Sequence, residues 1–418
     1  MNDAGDRPPA PDDVVVVSAA RTPHGALQGA LASVPAAQLG ATAARGALRR
    51  AGLDVPEAAP EGGAGDALAD VVDLALFGNV LQAGQGQAPA RQATLAAGLP
   101  HVTPTATINK MCGSGLEAIV QGARALKLGE VRTVLAGGME SMSRAPYLLP
   151  GARDGYRLGH REVVDSVVHD GLWDVYADAH MGACAEVCAR TYAFDRATQD
   201  AFALRSYERA QAATASGVAA WEIEPVVVPG RKGPPTVVDA DEGPSKVDPE
   251  RVPTLRPAFE ADGTITAANA SSIDDGAAAL LLATRAEADR RGWPVLARLE
   301  GWATHAQDPT WFTTAPVAAM RTLFERTGWT PASVERYEIN EAFAVVPLAA
   351  MEAFDLPAEK VDVLGGAIAL GHPIGASGAR IVVTLLNALR VADARRGVAS
   401  ICIGGGEAWA LALTREGA

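Results

Sequence analysis

Apolar and polar positions near the start of the chain alternate between short strand-like runs and helical stretches. Residues 14–18 form a β-branched run that ends at the turn sequence ArgThrProHisGly, which predicts a strand followed by a loop. Residues 38–51 carry apolar side chains at helical spacing, and residues 71–77 predict a second buried strand. The Pro-, Gly- and Asp-rich residues 53–69 between them predict a surface loop. Strands that alternate with helices predict an α/β architecture.

Two stretches of the chain repeat one pattern. A glycine-rich turn around residue 113 leads into an amphipathic helix and a strand over 131–135 that ends at GlyGlyMetGlu. A second glycine-rich turn, about 260 residues later, leads into a similar helix and a strand over 399–403 that ends at GlyGlyGlyGlu. This repetition predicts two similar α/β halves produced by duplication.

The segment between the two halves lacks their strand–helix rhythm and predicts an inserted domain. It is richer in Pro, Tyr, Trp and charge, with helical patterns over 183–192 and 198–216 and the basic turn GlyArgLysGly at 230–233. The predicted organisation is a disordered tail (1–12), a first half (13–143 with 267–291), an inserted loop domain (144–266) and a second half (292–418).

The composition of the 418-residue chain is that of a globular protein, with 48% hydrophobic and 20% charged residues. An excess of 49 Asp and Glu over 36 Lys and Arg gives a net charge of −13. This argues against a nucleic-acid or membrane partner, because both need a cationic surface. Four cysteines are too few for a disulfide framework and indicate a reducing cytoplasm. The N-terminal residues resemble neither a signal nor a transit peptide, and the apolar runs are too short or interrupted to span a membrane.

Cys112 and His372 are the first candidates for chemistry. Cys112 stands just before GlySerGly and a helix, where the helix dipole and unpaired N–H groups would favour the reactive thiolate. His372 lies in GlyHisProIleGlyAlaSerGly, and the following proline suits a base that must keep one geometry. Taken singly, each residue has a more common interpretation: the cysteine packs in the core, and the histidine makes hydrogen bonds within its loop.

Asn340 and Cys402 complete the candidate set. Asn340, in AsnGluAlaPhe, could direct an amide or a water at a developing oxyanion, and Cys402 precedes three glycines whose N–H groups are exposed. Two cysteines, a histidine and an asparagine at strand ends together indicate acyl transfer through a thioester. Cys184 and Cys188 lie one helical turn apart without a third metal ligand, which predicts packing.

Long motifs resemble the thiolase family, specifically its acetyl-CoA C-acetyltransferases. The similar segments run in order through nearly the whole chain, and the longest covers residues 365–380. The segments are AsnLysMetCysGlySerGly (109–115), GlyGlyMetGluSerMetSer (137–143), HisMetGly (180–182), AlaAsnAlaSer (268–271), AspAspGlyAlaAlaAla (274–279), AsnGluAlaPheAla (340–344), GlyGlyAlaIleAlaLeuGlyHisProIleGlyAlaSerGlyAlaArg (365–380) and GlyGlyGlyGluAla (404–408).

The resemblance implies a layered α-β-α-β-α core, a homotetramer built from tight dimers, and reversible condensation of two acetyl-CoA to acetoacetyl-CoA and coenzyme A. It implies that Cys112 becomes acetylated, that His372 activates it, and that Asn340 holds a water in an oxyanion hole with His372. Cys402 would move the α-proton of the second substrate. The backbone N–H groups of Cys112 and Gly404 would form the second oxyanion hole.

The resemblance also implies that coenzyme A binds as a substrate on the inserted domain, with no cofactor bound permanently and no metal. Two departures from the family accompany this expectation: Lys246 must replace an arginine that many relatives carry nearby, and Ala408 replaces a glycine. Lys is a point charge without the bidentate fork of Arg, so a looser phosphate contact is expected. The residues implied in coenzyme A or acyl binding are His180, Met181, Arg231, Lys246, Phe259, Ser271 and Phe343.

Several alternatives stay open on the sequence. A broad 3-ketoacyl-CoA thiolase of fatty-acid degradation shares the motifs, and the GlyGlyGlyGluAla end resembles that group. A condensing enzyme of the ketoacyl-synthase type shares the fold but lacks the acid/base of Cys402. An inactive scaffold homologue and a Cys-His-Asn hydrolase are disfavoured, because all four catalytic positions are filled and hydrolysis needs no second cysteine.

Overall fold

The structure is a computed structural model, and it describes residues 8–55, 68, 70–230 and 233–416. Its helices are α1 (Ala36–Arg50), α2 (Pro89–Ala96), α3 (Ser114–Lys127), α4 (Met181–Thr191), α5 (Arg196–Ala215), α6 (Arg285–Arg291), α7 (Ala315–Thr327), α8 (Val345–Phe354), α9 (Ala367–Leu370) and α10 (Ile374–Val391). Its strands are β1 (Val14–Arg21), β2 (Gly25–Ala26), β3 (Leu74–Gly78), β4 (Thr105–Ile108), β5 (Thr133–Ser141), β6 (Tyr147–Leu148), β7 (Val164–Asp165), β8 (Trp173–Asp174), β9 (Ala179–His180), β10 (Val226–Val228), β11 (Thr236–Val238), β12 (Asp274–Thr284), β13 (Ala297–Ala306), β14 (Arg336–Ile339), β15 (Arg396–Ile403) and β16 (Glu407–Arg415).

The main sheet consists of two mixed halves that meet along a short seam. Its strand order is β14-β15-β16-β13-β1-β12-β5-β3-β4, with β2 paired to β12. The seam is the antiparallel pairing of β1 with β13, which joins Val15 to Arg298 and Val16 to Ala297. The pairs β3–β4, β3–β5 and β14–β15 are parallel, and the other main pairs are antiparallel.

The four valines that open β1 explain why this strand is apolar on both faces. Successive side chains of a strand point to opposite faces. Val15 and Val17 pack in a core with α1 and α2, whereas Val14 and Val16 pack in a second core with α3 and α10. A third core lies between the other half of the sheet and helices α7 and α8. The layers therefore follow the order helix, sheet, helix, sheet, helix, which confirms the predicted fold class.

Helices α3 and α10 cross in the central layer at their glycines. A Cβ atom on Gly115 would lie 2.7 Å from the backbone nitrogen of Ala379, and one on Gly378 would lie 2.5 Å from that of Leu116. Only glycine permits this approach of two backbones. The two glycine-rich turns of the sequence are thus the crossing point of the central helices, which brings together the segments that carry Cys112 and His372.

The strand predicted over 131–135 differs from the observed β5. GlyGlyMetGlu lies within β5 rather than after it, because Gly137 and Gly138 pair with β12. A Cβ atom on Gly138 would lie 2.1 Å from the carbonyl oxygen of Gly375. Gly138 therefore permits the approach of α10 to the sheet, whereas a Cβ atom on Gly137 would lie 2.2 Å from the carbonyl oxygen of Ala278 in β12.

The inserted segment packs helix α4 against the second half. Cys184 and Cys188 are buried in the core that also holds Phe312 and Phe343, as their predicted packing role requires. Most of the predicted loop at 53–69, together with residues 1–7 of the predicted tail, lies outside the described residues. Within that tail, the carbonyl of Pro11 accepts a hydrogen bond from the backbone of Ala286, so the ordered chain begins earlier than predicted. The predicted domain boundaries stay a prediction.

Among the described residues, α10 is the helix whose length and apolar composition could cross a membrane. Its residues are mostly buried inside the fold, as in the core helix of a soluble domain. Its apolar sequence follows from its place in the central layer, between the two halves of the sheet.

Candidate active site

A cavity of about 200 Å³ lies where the start of α3, the start of α10 and the turn after β15 meet. Most of the predicted site residues line it, although they come from both halves and from the inserted segment. The predicted residues on its walls are Cys112, His180, Met181, Phe259, Ser271, Phe343, His372, Cys402 and Gly404.

Cys112 is held by a tight backbone turn. Met111 adopts a left-handed conformation (φ 46°), and its carbonyl accepts a 2.6 Å hydrogen bond from the hydroxyl of Ser114, the first residue of α3. Burial raises the pKa of the Cys112 thiol to about 11, although a hydrogen bond from the backbone N–H of Gly404 opposes the shift. The expectation that the helix start favours a thiolate is therefore wrong for the free protein. A base must take the proton when the sulfur attacks.

His372 is held as a neutral base in one tautomer. Its Nδ1 lies 2.5 Å from the hydroxyl oxygen of Ser377, and that hydroxyl donates to the carbonyl of Pro373 at 2.9 Å. Because the single hydroxyl proton goes to Pro373, the oxygen must accept from Nδ1–H. Burial, with a smaller effect of the Arg380 charge, lowers the pKa of His372 to about 3. Nε2 thus carries a lone pair, and it has no partner among the described residues.

Cys402 ends β15 opposite Cys112. It is buried, and its pKa is raised well above the ordinary value by burial and then by the nearby Cys112 thiol. Gly405 and Gly406 follow with φ of 89° and 84°, which turns the chain sharply into β16. This turn directs the N–H of Gly404 at the Cys112 sulfur. Two thiols and a backbone N–H donor therefore meet at one wall of the cavity.

Asn340 lies next to this cavity but not on its surface. It is 1% exposed, and its Oδ1 accepts a 3.1 Å hydrogen bond from the Arg380 guanidinium. The residues that follow it, Ala342 and Phe343, do line the cavity.

Aromatic rings close the acyl end of the cavity. The ring of Phe259 stacks on His180 at 4.7 Å and meets Phe343 edge-on at 5.9 Å. Phe312 packs edge-on against Phe343 at 6.2 Å. The nitrogen Nδ1 of His180 accepts the N–H of Gly182 at 3.0 Å and so caps α4. These contacts fix the rings as a rigid apolar wall.

Lys246 lies in a second cavity, of about 310 Å³, on the other side of the segment that carries Ser271. Its ammonium forms an ion pair with Glu242 at 2.5 Å, so its charge is already engaged. Arg251 lines the same cavity and is exposed. Sequence reasoning missed Arg251, and Arg231 lies outside the described residues.

Sequence reasoning also missed three side chains that support or line the site. Glu140 is buried in β5 and accepts the N–H groups of Val80 and Gly375, each at 2.9 Å, which ties the start of α10 to the first half. Burial raises the pKa of Glu140 to about 7. Ser377 could have been found from its place in the first turn after the histidine loop, whereas no local signal marks Phe312.

No group of three or more His, Cys, Asp or Glu side chains suited to a metal ion occurs in the part of the chain that the structure describes. All four cysteines are free. The donor set of the cavity, two thiols and one imidazole, suits acyl transfer to sulfur.

Comparison with known proteins gives a consistent result over the whole chain. The family description "Thiolase, N-terminal domain" matches residues 14–286, and "Thiolase, C-terminal domain" matches residues 293–415. The chain is 47% identical over 405 residues to an acetyl-CoA acetyltransferase of Pseudomonas aeruginosa, covering 97% of this chain and 100% of that protein. It is 48% identical over 405 residues to acetyl-CoA acetyltransferase 2 of Arabidopsis thaliana, covering 96% and 97%.

A solved structure has a similar fold. The crystal structure of the Acat5 thiolase from Ascaris suum in complex with coenzyme A matches with a TM-score of 0.88 and 40% identity. The match covers 97% of this chain and 100% of that one.

Proposed function

The chain belongs to the thiolase family of acyltransferases, and on this premise we propose that it is an acetyl-CoA C-acetyltransferase. The reaction is the reversible condensation of two acetyl-CoA to acetoacetyl-CoA and coenzyme A. The observation that carries the proposal is the shared cavity of Cys112, Cys402 and a neutral His372. Names of relatives and the coenzyme A complex of a structural neighbour support the substrate class.

In the first half-reaction, Cys112 attacks the thioester carbonyl of acetyl-CoA. Its thiol is protonated at neutral pH, so its proton passes to Nε2 of His372 as the carbon–sulfur bond forms. The N–H groups of Cys112 and Gly404 donate to the carbonyl oxygen as it gains negative charge. Coenzyme A leaves as a thiolate that takes up the proton of the Cys402 thiol, so acetyl-Cys112, a Cys402 thiolate and a protonated His372 remain.

In the second half-reaction, the Cys402 thiolate formed by that proton transfer removes the α-proton of another acetyl-CoA. Its raised pKa makes the corresponding thiolate a strong base, which a weakly acidic carbon requires. The protonated Nε2 of His372, together with a water held by Asn340, donates to the thioester oxygen as the enolate forms. The α-carbon then attacks acetyl-Cys112, the Cys112 sulfur leaves and takes back its proton from His372, and acetoacetyl-CoA is released.

We place the rest of coenzyme A along the two cavities that flank residues 267–272. Ala270 and Ser271 line the first cavity, and Ala267, Ala268 and Ser272 line the second. Within the second cavity, Arg251 is the better phosphate partner, because Lys246 shares its charge with Glu242.

The aromatic wall supports a short acyl group. Thiolysis of acetoacetyl-CoA, 3-ketohexanoyl-CoA and 3-ketodecanoyl-CoA by coenzyme A, followed by loss of absorbance, tests this. Activity restricted to the four-carbon substrate is expected, since Phe312 and Phe343 close the cavity. Comparable rates at all lengths would indicate a broad 3-ketoacyl-CoA thiolase, and no thiolysis would contradict the proposal.

Cys402→Ser tests whether the two thiols have separate roles, with Cys112 as the nucleophile and Cys402 in proton transfer. A serine hydroxyl is far less acidic than a thiol, so we expect acetyl-Cys112 to form from labelled acetyl-CoA while condensation is lost. Cys188→Ala, which changes a buried cysteine that does not line the cavity, is the matched control. Near-normal condensation by Cys402→Ser would exclude its proton-transfer role.

We also propose a homotetramer. The inserted segment exposes large apolar side chains, among them Leu158 (102% exposed), Tyr176 (76%) and Tyr147 (65%). Exposed apolar side chains of this size favour a contact surface, and strand β4 at the end of the sheet offers a second one. Light scattering after size-exclusion chromatography should give four times the chain mass of 43.0 kDa, and a monomer would exclude this assembly.

We propose the cytoplasm as the location, and fatty acid metabolism as the setting. Four free cysteines, two of them facing one cavity, favour a reducing compartment. Cell fractionation with an antibody to the chain tests this, and recovery outside the soluble cytoplasmic fraction would contradict it.

A further inference from the structure

Arg380 contacts Asn340 deep inside the fold. The side chain lies on α10, two turns after the histidine loop, and is fully buried. Its Nη2 donates to Oδ1 of Asn340 at 3.1 Å, and its Nη1 donates to Oε2 of Glu338 at 3.1 Å. Glu338 belongs to β14, the strand that Asn340 follows directly, so one guanidinium spans both residues.

The chemistry of the guanidinium fixes which end of the amide faces it. Arginine carries only donors, so the atom of Asn340 in contact with it must be the carbonyl oxygen Oδ1. The backbone of Asn340 is also engaged: its N–H donates to Ser400 at 2.9 Å, and its carbonyl accepts from Ala342 at 2.9 Å. The Nδ2 group is therefore the free end of the residue.

The amide nitrogen Nδ2 is buried and has no hydrogen-bond partner among the described residues. A buried donor without a partner is costly, so such groups in native proteins usually serve a ligand or a water. The neighbouring residues Ala342 and Phe343 line the catalytic cavity. The unpaired donor thus belongs beside the reacting thioester.

We propose that Arg380 is a positioning residue, which holds the Asn340 amide with its N–H groups turned toward the substrate oxygen or a water bound to it. Without Arg380 the amide can rotate by half a turn and present its oxygen, which repels a developing oxyanion. This inference rests on the proposed function, because the oxyanion is that of the condensation step.

A double-mutant cycle in thiolysis of acetoacetyl-CoA tests the proposal. Arg380→Met and Asn340→Ala should each lower kcat by about 100-fold, with little change in KM, since an oxyanion donor acts in the transition state. The double variant should be no slower than Asn340→Ala, because Arg380 acts through that amide. Losses that multiply in the double variant would overturn the proposal.

A second variant separates positioning from charge balance. If Arg380 only neutralises Glu338, then Arg380→Met with Glu338→Gln removes both charges and should restore kcat. The positioning role instead predicts that the loss of about 100-fold persists in this variant, which removes the Arg380–Glu338 ion pair as a unit. Restored kcat would overturn the proposal.

Controls distinguish a loss of Asn340 positioning from a loss of folding and from failure of the proposed function. Arg50→Met removes a part-buried arginine on α1, which donates to the Ala19 and Ile223 carbonyls away from the cavity, and should leave kcat unchanged. Thermal unfolding of each variant reports the fold. A wild-type chain without thiolysis would contradict the proposed function, whereas an active wild type with multiplied losses would contradict only the role of Arg380.

Discussion

The two glycine-rich helix starts look alike along the chain, yet they hold their reactive groups in different ways. At the start of α3, Cys112 is half-buried and held by a backbone turn, with Ser114 and Met111 closing it. At the start of α10, His372 is only 7% exposed and is held by the side chain of Ser377. At the first start a hydroxyl closes the backbone turn around the reactive residue, whereas at the second start a hydroxyl binds the reactive ring itself.

The difference follows from what each group must do. A nucleophile has to reach the substrate, so its sulfur needs an accessible position, and the main chain supplies one without covering it. A base has to keep one tautomer, which requires a specific partner for the other ring nitrogen. Variants of the two starts should therefore fail at different steps and by different amounts.

Removal of the Cys112 thiol should have the largest effect on activity. Cys112→Ala is expected to abolish acetyl-enzyme formation and to lower thiolysis by at least about 10⁴-fold, because no other group takes the acyl chain. Mass spectrometry of protein treated with acetyl-CoA measures the adduct. Cys184→Ala, which changes a buried cysteine of α4, is the control and should label normally. An adduct on the Cys112→Ala protein would refute the assignment.

Loss of the Ser377 hydroxyl, which binds His372 at the start of α10, should have an intermediate effect on the rate of acylation. Ser377→Ala leaves Nδ1–H of His372 without its acceptor, so the other tautomer becomes populated and Nε2 then carries the proton. We expect the acylation rate constant to fall by about 10- to 100-fold, less than loss of a reacting group. The burst of released coenzyme A measures it. Ser377→Thr keeps the hydroxyl and should recover part of the acylation rate. An unchanged rate in Ser377→Ala would show that the tautomer of His372 does not depend on this hydroxyl.

The crossing shared by both starts should respond to one added methyl group. In Gly378→Ala the new Cβ would lie 2.5 Å from the Leu116 backbone nitrogen, so α3 and α10 must separate. We expect a loss of about 1–3 kcal/mol in the free energy of unfolding, measured by denaturant titration. Gly233→Ala is the matched control, because nothing lies within 4 Å of its added Cβ. Equal stability of the two variants would contradict the tight crossing.

The sequence predicted the elements and the reactive residues of these two starts, because both depend on local patterns. The β-branched opening of β1, the helix after Gly113 and the helix after Pro373 each follow from neighbouring residues. Cys112, His372, Cys402 and Gly404 meet in one cavity, and their roles stay a prediction for the experiments above.

The environment of those residues could not be predicted, because it is assembled from distant segments. The thiolate expected at Cys112 was wrong since burial outweighs the helix dipole, and burial depends on how both halves pack. GlyGlyMetGlu extends β5 because Gly138 must admit the backbone of α10. Contacts such as Arg380 with Asn340 or Glu140 with Gly375 join residues far apart along the chain.

The smallest expected effect is that of pH on the acylation rate constant, which depends on the reactive groups at both helix starts. The pKa of Cys112 is raised to about 11 and that of His372 is lowered to about 3, both mainly by burial. The thiol deprotonates only above the first value and the imidazole is protonated only below the second. Acylation should therefore proceed from one neutral pair, with a rate constant that is flat from about pH 5 to about pH 9.

Rapid-quench measurement of acetyl-Cys112 across this range checks the prediction, with Cys188→Ala as a control for unrelated thiol titration. A fall in the acylation rate constant as the pH drops through 6.5, the ordinary pKa of histidine, would show that His372 takes up a proton and is not buried as a neutral base. Relative to His372→Gln, the native state should also lose stability as the pH falls below 6.5, because the unfolded chain then binds a proton that folded His372 does not. A stability difference between the wild type and His372→Gln that is the same at pH 7 and at about pH 5 would contradict the buried neutral imidazole, without bearing on how Cys112 is held.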